Sequence, residues 1–435
     1  MADTSSLVGA PSGPAGWPAA DPAIDALFAE VIGTPEGRRD PYTRYKALRE
    51  AAPVYASGMG LVICTRYEEC QFVLRDPRFG KAEGTRADIA QARFGHLEIF
   101  PRIEALLSDR RSLLFMNPPA HTRLRSLVSK AFTPRTVERL RPEIVALVDG
   151  LLDQVNPGEV TDVMSALAFP LPANVISHMI GVPEEDWPRF RNVVSQATAL
   201  LEPIVPDDEL EAALLAQLEL EEYFQALVAE RRARPQDDLL SQLIAVQEGS
   251  DRLNEGELIS IVILLFGAGC ETTTNLIGNG LYALLTHPDE LSQLRSDLGS
   301  GDRSAVIRAA IEELLRWDSP VQFDGRQPFE DVDIGGVTVA EGHEVVTVLG
   351  AANRDPEHFT NPEQLDLRRN EGPPMSFASG IHFCLGAALA RTEGQVVFER
   401  LLDRFSSIEL ADDSPEWKNR ITLRGLAALP VVFSE

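Results

Sequence analysis

The sequence predicts a mainly α-helical fold with small β-sheets. Helical patterns dominate from 138 to 287, and the strand-like pieces are short and scattered. No alternation of strands and helices runs long enough to build a large parallel sheet. The 435 residues are 44% hydrophobic and 24% charged, an ordinary globular composition with ample apolar surface for a large core. A tail rich in Pro, Gly and Ser is expected over 1–22, followed by a single domain over 23–435.

In chain order, 53–66 reads as a strand, a Gly-Met-Gly turn and a second strand. An amphipathic helix over 139–155 stops at Asn156-Pro157-Gly158. A long helix over 208–232 carries acidic residues early and arginines late, as the helix dipole favours. A longer helical pattern spans 253–285, with G-A-G-C-E-T-T-T-N at its middle. Two glycines and three threonines there lower helix propensity by roughly a few kcal/mol. A kink or a ligand groove would offset that cost. Another helix follows over 305–317, then strand-like 332–338 and 344–348, a polar coil over 353–375, a helix over 385–405 and short strands in 421–433.

The formal net charge of −26 argues against non-specific nucleic-acid binding. Four cysteines are too few for a disulfide scaffold in a chain this long, so a reducing cytoplasm is expected. The N-terminal segment reads as neither signal peptide nor membrane anchor, and Glu271 interrupts the most apolar stretch, so no membrane is expected.

The strongest chemical signal is F-A-S-G-I-H-F-C-L-G at 377–386. Cys384 lies just before a helix, where free backbone N–H groups and the dipole favour a thiolate. Gly380 and Gly386 permit tight turning and the close approach of something flat, and Phe377 is placed to shield the sulfur. Such a loop presents a thiolate to a soft metal centre. The blander alternative is a buried structural cysteine at a helix start. Zinc bound by His382 and Cys384 lacks a second closely spaced ligand pair.

This loop resembles the haem-binding loop of the cytochrome P450 family, F-G-x-G-x-H-x-C-x-G in bacterial members, with Ala378 in place of the first glycine. The resemblance implies the P450 fold, a buried haem b (iron protoporphyrin IX) and Cys384 as its axial ligand. It also implies that Gly386 and Phe377 flank the haem. G-A-G-C-E-T is similar to the family's distal helix A-G-x-[DE]-T. Ala268 and Gly269 would then approach the haem, and Glu271 and Thr272 would be an acid–alcohol pair supplying protons for O2 cleavage. Threonines bonding back to their own helix carbonyls are the plain alternative. His121 and Arg125, at i and i+4, together with Arg326 and His382, would meet the haem propionates. Glu313 and Arg316 match the family's E-x-x-R pair, although an i, i+3 pair is commonly a surface ion pair and Glu312 could substitute. The segment Asn361-Pro362-Glu363-Gln364-Leu365 lacks the family's usual arginine, so the third member of that network is open.

The implied reaction inserts one atom of O2 into a C–H bond, or occasionally a double bond. Electrons would come from a separate ferredoxin-type donor, because no nucleotide-binding glycine fingerprint is present. By family position the pocket draws on 94–115, 197–205, 264–272, 320–323 and 426–427, which are mostly apolar. A steroid, terpene, fatty acid or polyketide would suit it. Two alternatives are a hydrogen-peroxide-driven peroxygenase, in which the acid–alcohol pair is typically lost, and a non-catalytic haem protein.

Overall fold

The computed structural model describes residues 19–82, 91, 93–109, 112–247, 253–412 and 414–435. Most of the tail expected over 1–22 lies outside them, and a helix already begins at Pro22. The chain forms two compact units: 1–82, 279–384 and 416–427 in the first, 83–278, 385–415 and 428–435 in the second.

The first unit opens with three short helices, Pro22–Gly33, Pro35–Arg39 and Pro41–Ala51. Each starts at a proline preceded by a capping side chain, Asp21, Thr34 and Asp40 in turn, which accepts a backbone N–H of the first turn. Proline at the first helical position loses no hydrogen bond there, so D-P, T-P and D-P are start signals. A five-stranded sheet follows, in the order Val54–Ala56, Leu61–Cys64, Glu344–Val348, Phe323–Pro328, Phe79–Gly80. Leu61–Cys64 and Glu344–Val348 run parallel, and the other neighbours are antiparallel. The hairpin expected over 53–66 is present. The stretch expected as one strand over 332–338 is a hairpin of Val332–Ile334 and Val337–Val339, because Gly335 and Gly336 both take positive φ and turn the chain back.

The helix Arg303–Trp317 carries the network that holds the coil before the cysteine loop. Arg316 is 1% exposed and donates from Nε and Nη2 to both oxygens of Glu313, at 2.7 and 2.8 Å. Glu313, not Glu312, is therefore its partner. Arg316 also donates to the carbonyls of Asn353, Pro362 and Gln364. Arg369 completes the group, with Nε 3.1 Å from Glu313 Oε2 and Nη1 2.6 Å from Glu371 Oε2. This is a buried, bidentate pair rather than a surface one.

The second unit is built from Ala120–Val128, Pro134–Leu152, Pro170–Ile180, Trp187–Ala197, Asp207–Ala233, Leu239–Gln247, most of Glu255–Thr286, and Ala387–Arg404. The helix expected at 139 begins earlier, at Pro134. Thr133 caps it and Pro134 takes the first position. Ala387–Arg404 lies along Pro134–Leu152, where Arg400 pairs with Asp149 at 2.6 Å and Arg141 reaches Gln395 at 3.0 Å. Val160–Asp162, Pro430–Ser434 and Ser407–Leu410 form a small antiparallel sheet. The central helix, Glu255–Thr286, is long and apolar enough to cross a membrane, but most of its apolar window is buried inside the protein.

Candidate functional site

In the first unit, the cysteine loop is seated on the helix Tyr67–Arg75. Gly380 has φ +71°, and a Cβ there would lie 2.0 Å from the Leu74 carbonyl oxygen, so only glycine fits. Cys384 N–H donates to the Phe377 carbonyl at 3.0 Å and closes the loop. The Phe377 ring is buried, 6.3 Å from that of Phe383. Cys384 lies three residues before Ala387–Arg404. Among the four cysteines it alone is exposed, beside Ile381 and Phe383, which are 48% and 41% exposed. Burial pushes the thiols of Cys64, Cys70 and Cys270 up, away from the thiolate form. The sequence expected Gly386 to serve tight turning and the close approach of something flat; its φ is an ordinary −84°, so the turn itself does not require glycine there.

Ala378, which stands where bacterial members usually carry glycine, takes a glycine-like conformation, φ +56° and ψ −157°, a region nearly closed to side chains. Such strain costs of order 1–3 kcal/mol. We predict that Ala378→Gly stabilises the protein by about 1 kcal/mol, because glycine's extra unfolded-state freedom offsets part of the relief. A urea unfolding midpoint at or below that of the parent protein would contradict this.

Arg326 lies in the sheet strand Phe323–Pro328, a strand the sequence did not reveal, and is 2% exposed. Its Nη1 donates to Asp324 at 2.5 Å and to the Gly325 carbonyl, and Lys81 also grips Asp324 at 2.5 Å. Burial alone would raise the Asp324 carboxyl, but Lys81 and Arg326 win and hold it at about 2. Arg326 Nη2 is buried and has no hydrogen-bond partner among the described residues.

These features fit a haem. An exposed thiol among exposed apolar side chains suits a flat macrocycle with a soft metal, and an unsatisfied buried guanidinium donor suits a propionate. Among the described residues, no group of three or more His, Cys, Asp or Glu side chains is placed to hold a metal ion. Zinc at His382 and Cys384 therefore finds no further such ligand among the described residues.

In the second unit, the central helix runs unbroken through Gly267, Gly269 and the threonines, so the expected kink does not interrupt it. An accessible stripe is there instead. Ala268 is exposed and Leu264 and Thr272 are half-buried, one turn apart on a single stripe of an otherwise mostly buried helix. Thr272 Oγ1 donates to the Ala268 carbonyl at 2.8 Å, and Thr274 bonds back to Cys270 in the same way. Gly269 faces neither the stripe nor open space, since a Cβ there would meet Ile176. Glu271 is buried, as is His121 on Ala120–Val128, where Arg125 is half-buried.

Glu393, on Ala387–Arg404, was overlooked in the sequence. It is 2% exposed, Oε2 has no hydrogen-bond partner among the described residues, and burial raises its acid range to about 8. The signal was available, because Glu393 falls between Leu389 and Val397 on the helix's apolar stripe. Arg369 was less legible, being one of two adjacent arginines within the polar coil over 353–375.

Comparison with known proteins gives the family. Residues 90–430 match the family described as Cytochrome P450. The chain is 41% identical over 416 residues to Cytochrome P450 107B1 of Saccharopolyspora erythraea, covering 94% of this chain and 96% of that one. It is 37% identical to the Polyketide biosynthesis cytochrome P450 PksS of Bacillus subtilis, covering 92% and 97%. Among solved structures, P450BioI in complex with an acyl carrier protein ligated to hexadec-9Z-enoic acid is 37% identical, with a TM-score of 0.82 over 92% of this chain and 99% of that one. The chain belongs to the cytochrome P450 family, as a monooxygenase with haem b as its cofactor.

Proposed function

We propose that this P450 inserts one atom of O2 into a C–H bond of an apolar or amphipathic small molecule, with the Cys384 thiolate as the axial haem ligand. The exposed thiol on a loop that only Gly380 allows to seat carries this assignment. When bound, haem supplies the redox chemistry that splits O2. Arg326 would offer its unpartnered Nη2 to a propionate, and by the family resemblance His121, Arg125 and His382 would be the other partners. The Thr272 hydroxyl spends its proton on the Ala268 carbonyl, which leaves its oxygen as an acceptor that would hold a water on the exposed stripe. Glu271, the neighbouring acid, would take up a proton from solvent and pass it on to that water. The presence of this pair argues against a peroxygenase. In the test, reduced protein with carbon monoxide shows the far-red-shifted band of thiolate ligation and Cys384→Ser loses it. Retention of the band in Cys384→Ser would remove the assignment.

Within the second unit, Phe94, Ile99, Phe100 and Ile103, from a segment that the family resemblance assigns to the pocket, pack with Leu210, Leu214 and Leu218. The relatives named for polyketide biosynthesis and for an acyl-carrier complex favour a polyketide or fatty-acyl compound over a steroid or terpene. A titration panel of these four classes, read as the shift of the haem absorption band, decides among them. The site of action is the cytoplasm, where a reductant is at hand. Turnover with O2 separates this enzyme from a non-catalytic haem protein.

Electrons are proposed to come from a ferredoxin-type partner docking on Lys130, Arg135 and Arg139, all exposed, with Arg391 half-buried nearby in sequence to the loop. Arg123, a fifth candidate, already pairs with Glu257 and contributes less. Charge reversal at Arg135 and Arg139 should slow reduction most at low salt. Reduction rates that stay unchanged across ionic strength would rule the patch out.

A further inference from the structure

The central helix rests on an apolar rod formed by the turn Met164–Ala168 and the helix Pro170–Ile180. They meet at two glycines. A Cβ at Gly269 would lie 3.1 Å from Ile176 Cγ1 and 3.3 Å from its Cβ. A Cβ at Gly278 would lie 2.5 Å from Met164 Sδ and 2.9 Å from its Cε. Residue 176 meets 269 and residue 164 meets 278, so rod and helix run antiparallel.

The two contacts differ in stiffness. Ile176 is β-branched and 2% exposed, and one of its near atoms is a Cβ that moves only with the backbone. The near atoms of Met164 are the far end of an unbranched, flexible side chain. The stiff contact falls within the turn Ala268–Thr272, where the Thr272 hydroxyl is bonded.

We infer that Ile176 is a positioning residue: by filling the notch at Gly269 it sets where the Ala268–Thr272 turn stands. This rests on the proposal that Thr272 faces the haem. Glycine at 269 is then kept for its close approach to Ile176, since alanine is otherwise the better helix residue. An added methyl at 269 must displace either the helix turn or the rod backbone. An added methyl at 278 needs only a methionine rotamer change.

The experiment compares Gly269→Ala, Gly278→Ala and the double variant Gly269→Ala with Ile176→Ala, all as holoenzyme. The readouts are the C–O stretch of the reduced carbon monoxide complex and hydrogen exchange of amides 268–272. Gly269→Ala should shift the stretch by more than its line width and change exchange at 268–272. Gly278→Ala should leave both as in the parent. The double variant should return both toward parent values, which a purely destabilising mutation would not do. Equal stretches in the parent and Gly269→Ala, equal shifts in both glycine variants, or failure of Ile176→Ala to restore would overturn the assignment. If the parent lacked the thiolate band, the proposed function would fail instead, while exchange at 268–272 would still decide the packing.

Discussion

Glu313→Ala should destabilise the protein by about 3–5 kcal/mol, the range for breaking a buried charge pair from one side. It leaves Arg316, 1% exposed, without its bidentate partner and takes one of two carboxylates from Arg369, which keeps Glu371. It also frees the Asp366 N–H, which donates to Glu313 at 2.8 Å. Arg369→Met should cost less, because Glu313 keeps both bonds to Arg316 and Glu371 turns to solvent. Urea unfolding of the three proteins gives the comparison. A Glu313→Ala midpoint equal to that of Arg369→Met would mean that the three charges do not act as a centred network.

Thr272→Ala should uncouple electron use from oxidation. A positioned proton donor contributes roughly a hundredfold or more to a proton-transfer step. In the proposed arrangement that donor is the water, and removing the Thr272 hydroxyl would remove the acceptor that holds it beside Ala268. Haem content and substrate affinity should stay near those of the parent, and NADH should still be consumed. Hydrogen peroxide should rise as product falls. Glu271→Gln should instead slow turnover as a whole, because the water's proton is no longer replaced. The decisive quantity is product formed per NADH consumed. Equal values in Thr272→Ala and the parent would assign the proton to another donor, such as a substrate hydroxyl.

Long helices were the legible part of the fold, because their periodicity and end signals are local. The helix expected over 208–232 is Asp207–Ala233, and that over 305–317 is Arg303–Trp317. Short N-terminal helices were passed over despite their cap–proline starts, since five to twelve residues carry little periodicity. The strand Phe323–Pro328 holds Asp324, Gly325 and Arg326, residues that read as a loop until the sheet buries them. In the site, the cysteine loop was legible as a motif, but the strain at Ala378 was not, because it depends on the loop's seat against Leu74. Gly269 was legible as a glycine in a motif, whereas its partner Ile176 lies 93 positions away with no local mark.

The buried carboxyl of Glu393 makes folding a proton-binding event. Its acid range lies at about 8 in the native protein against an ordinary 4.5, so the native chain keeps a proton that the unfolded chain releases. This contribution to stability is fully present below about pH 4.5 and is lost as pH rises through 8. Across that window each pH unit removes on the order of 1.4 kcal/mol from this group's share. Heat denaturation should therefore come at lower temperature at pH 8 than at pH 6, and Glu393→Gln should flatten the fall and withstand pH 8 better than the parent. If both proteins lost thermal stability equally between those two values, the proton would have to be held elsewhere. A protein with a net charge of −26 thus keeps one acid uncharged in its interior, and mildly acidic conditions favour the folded form at that position.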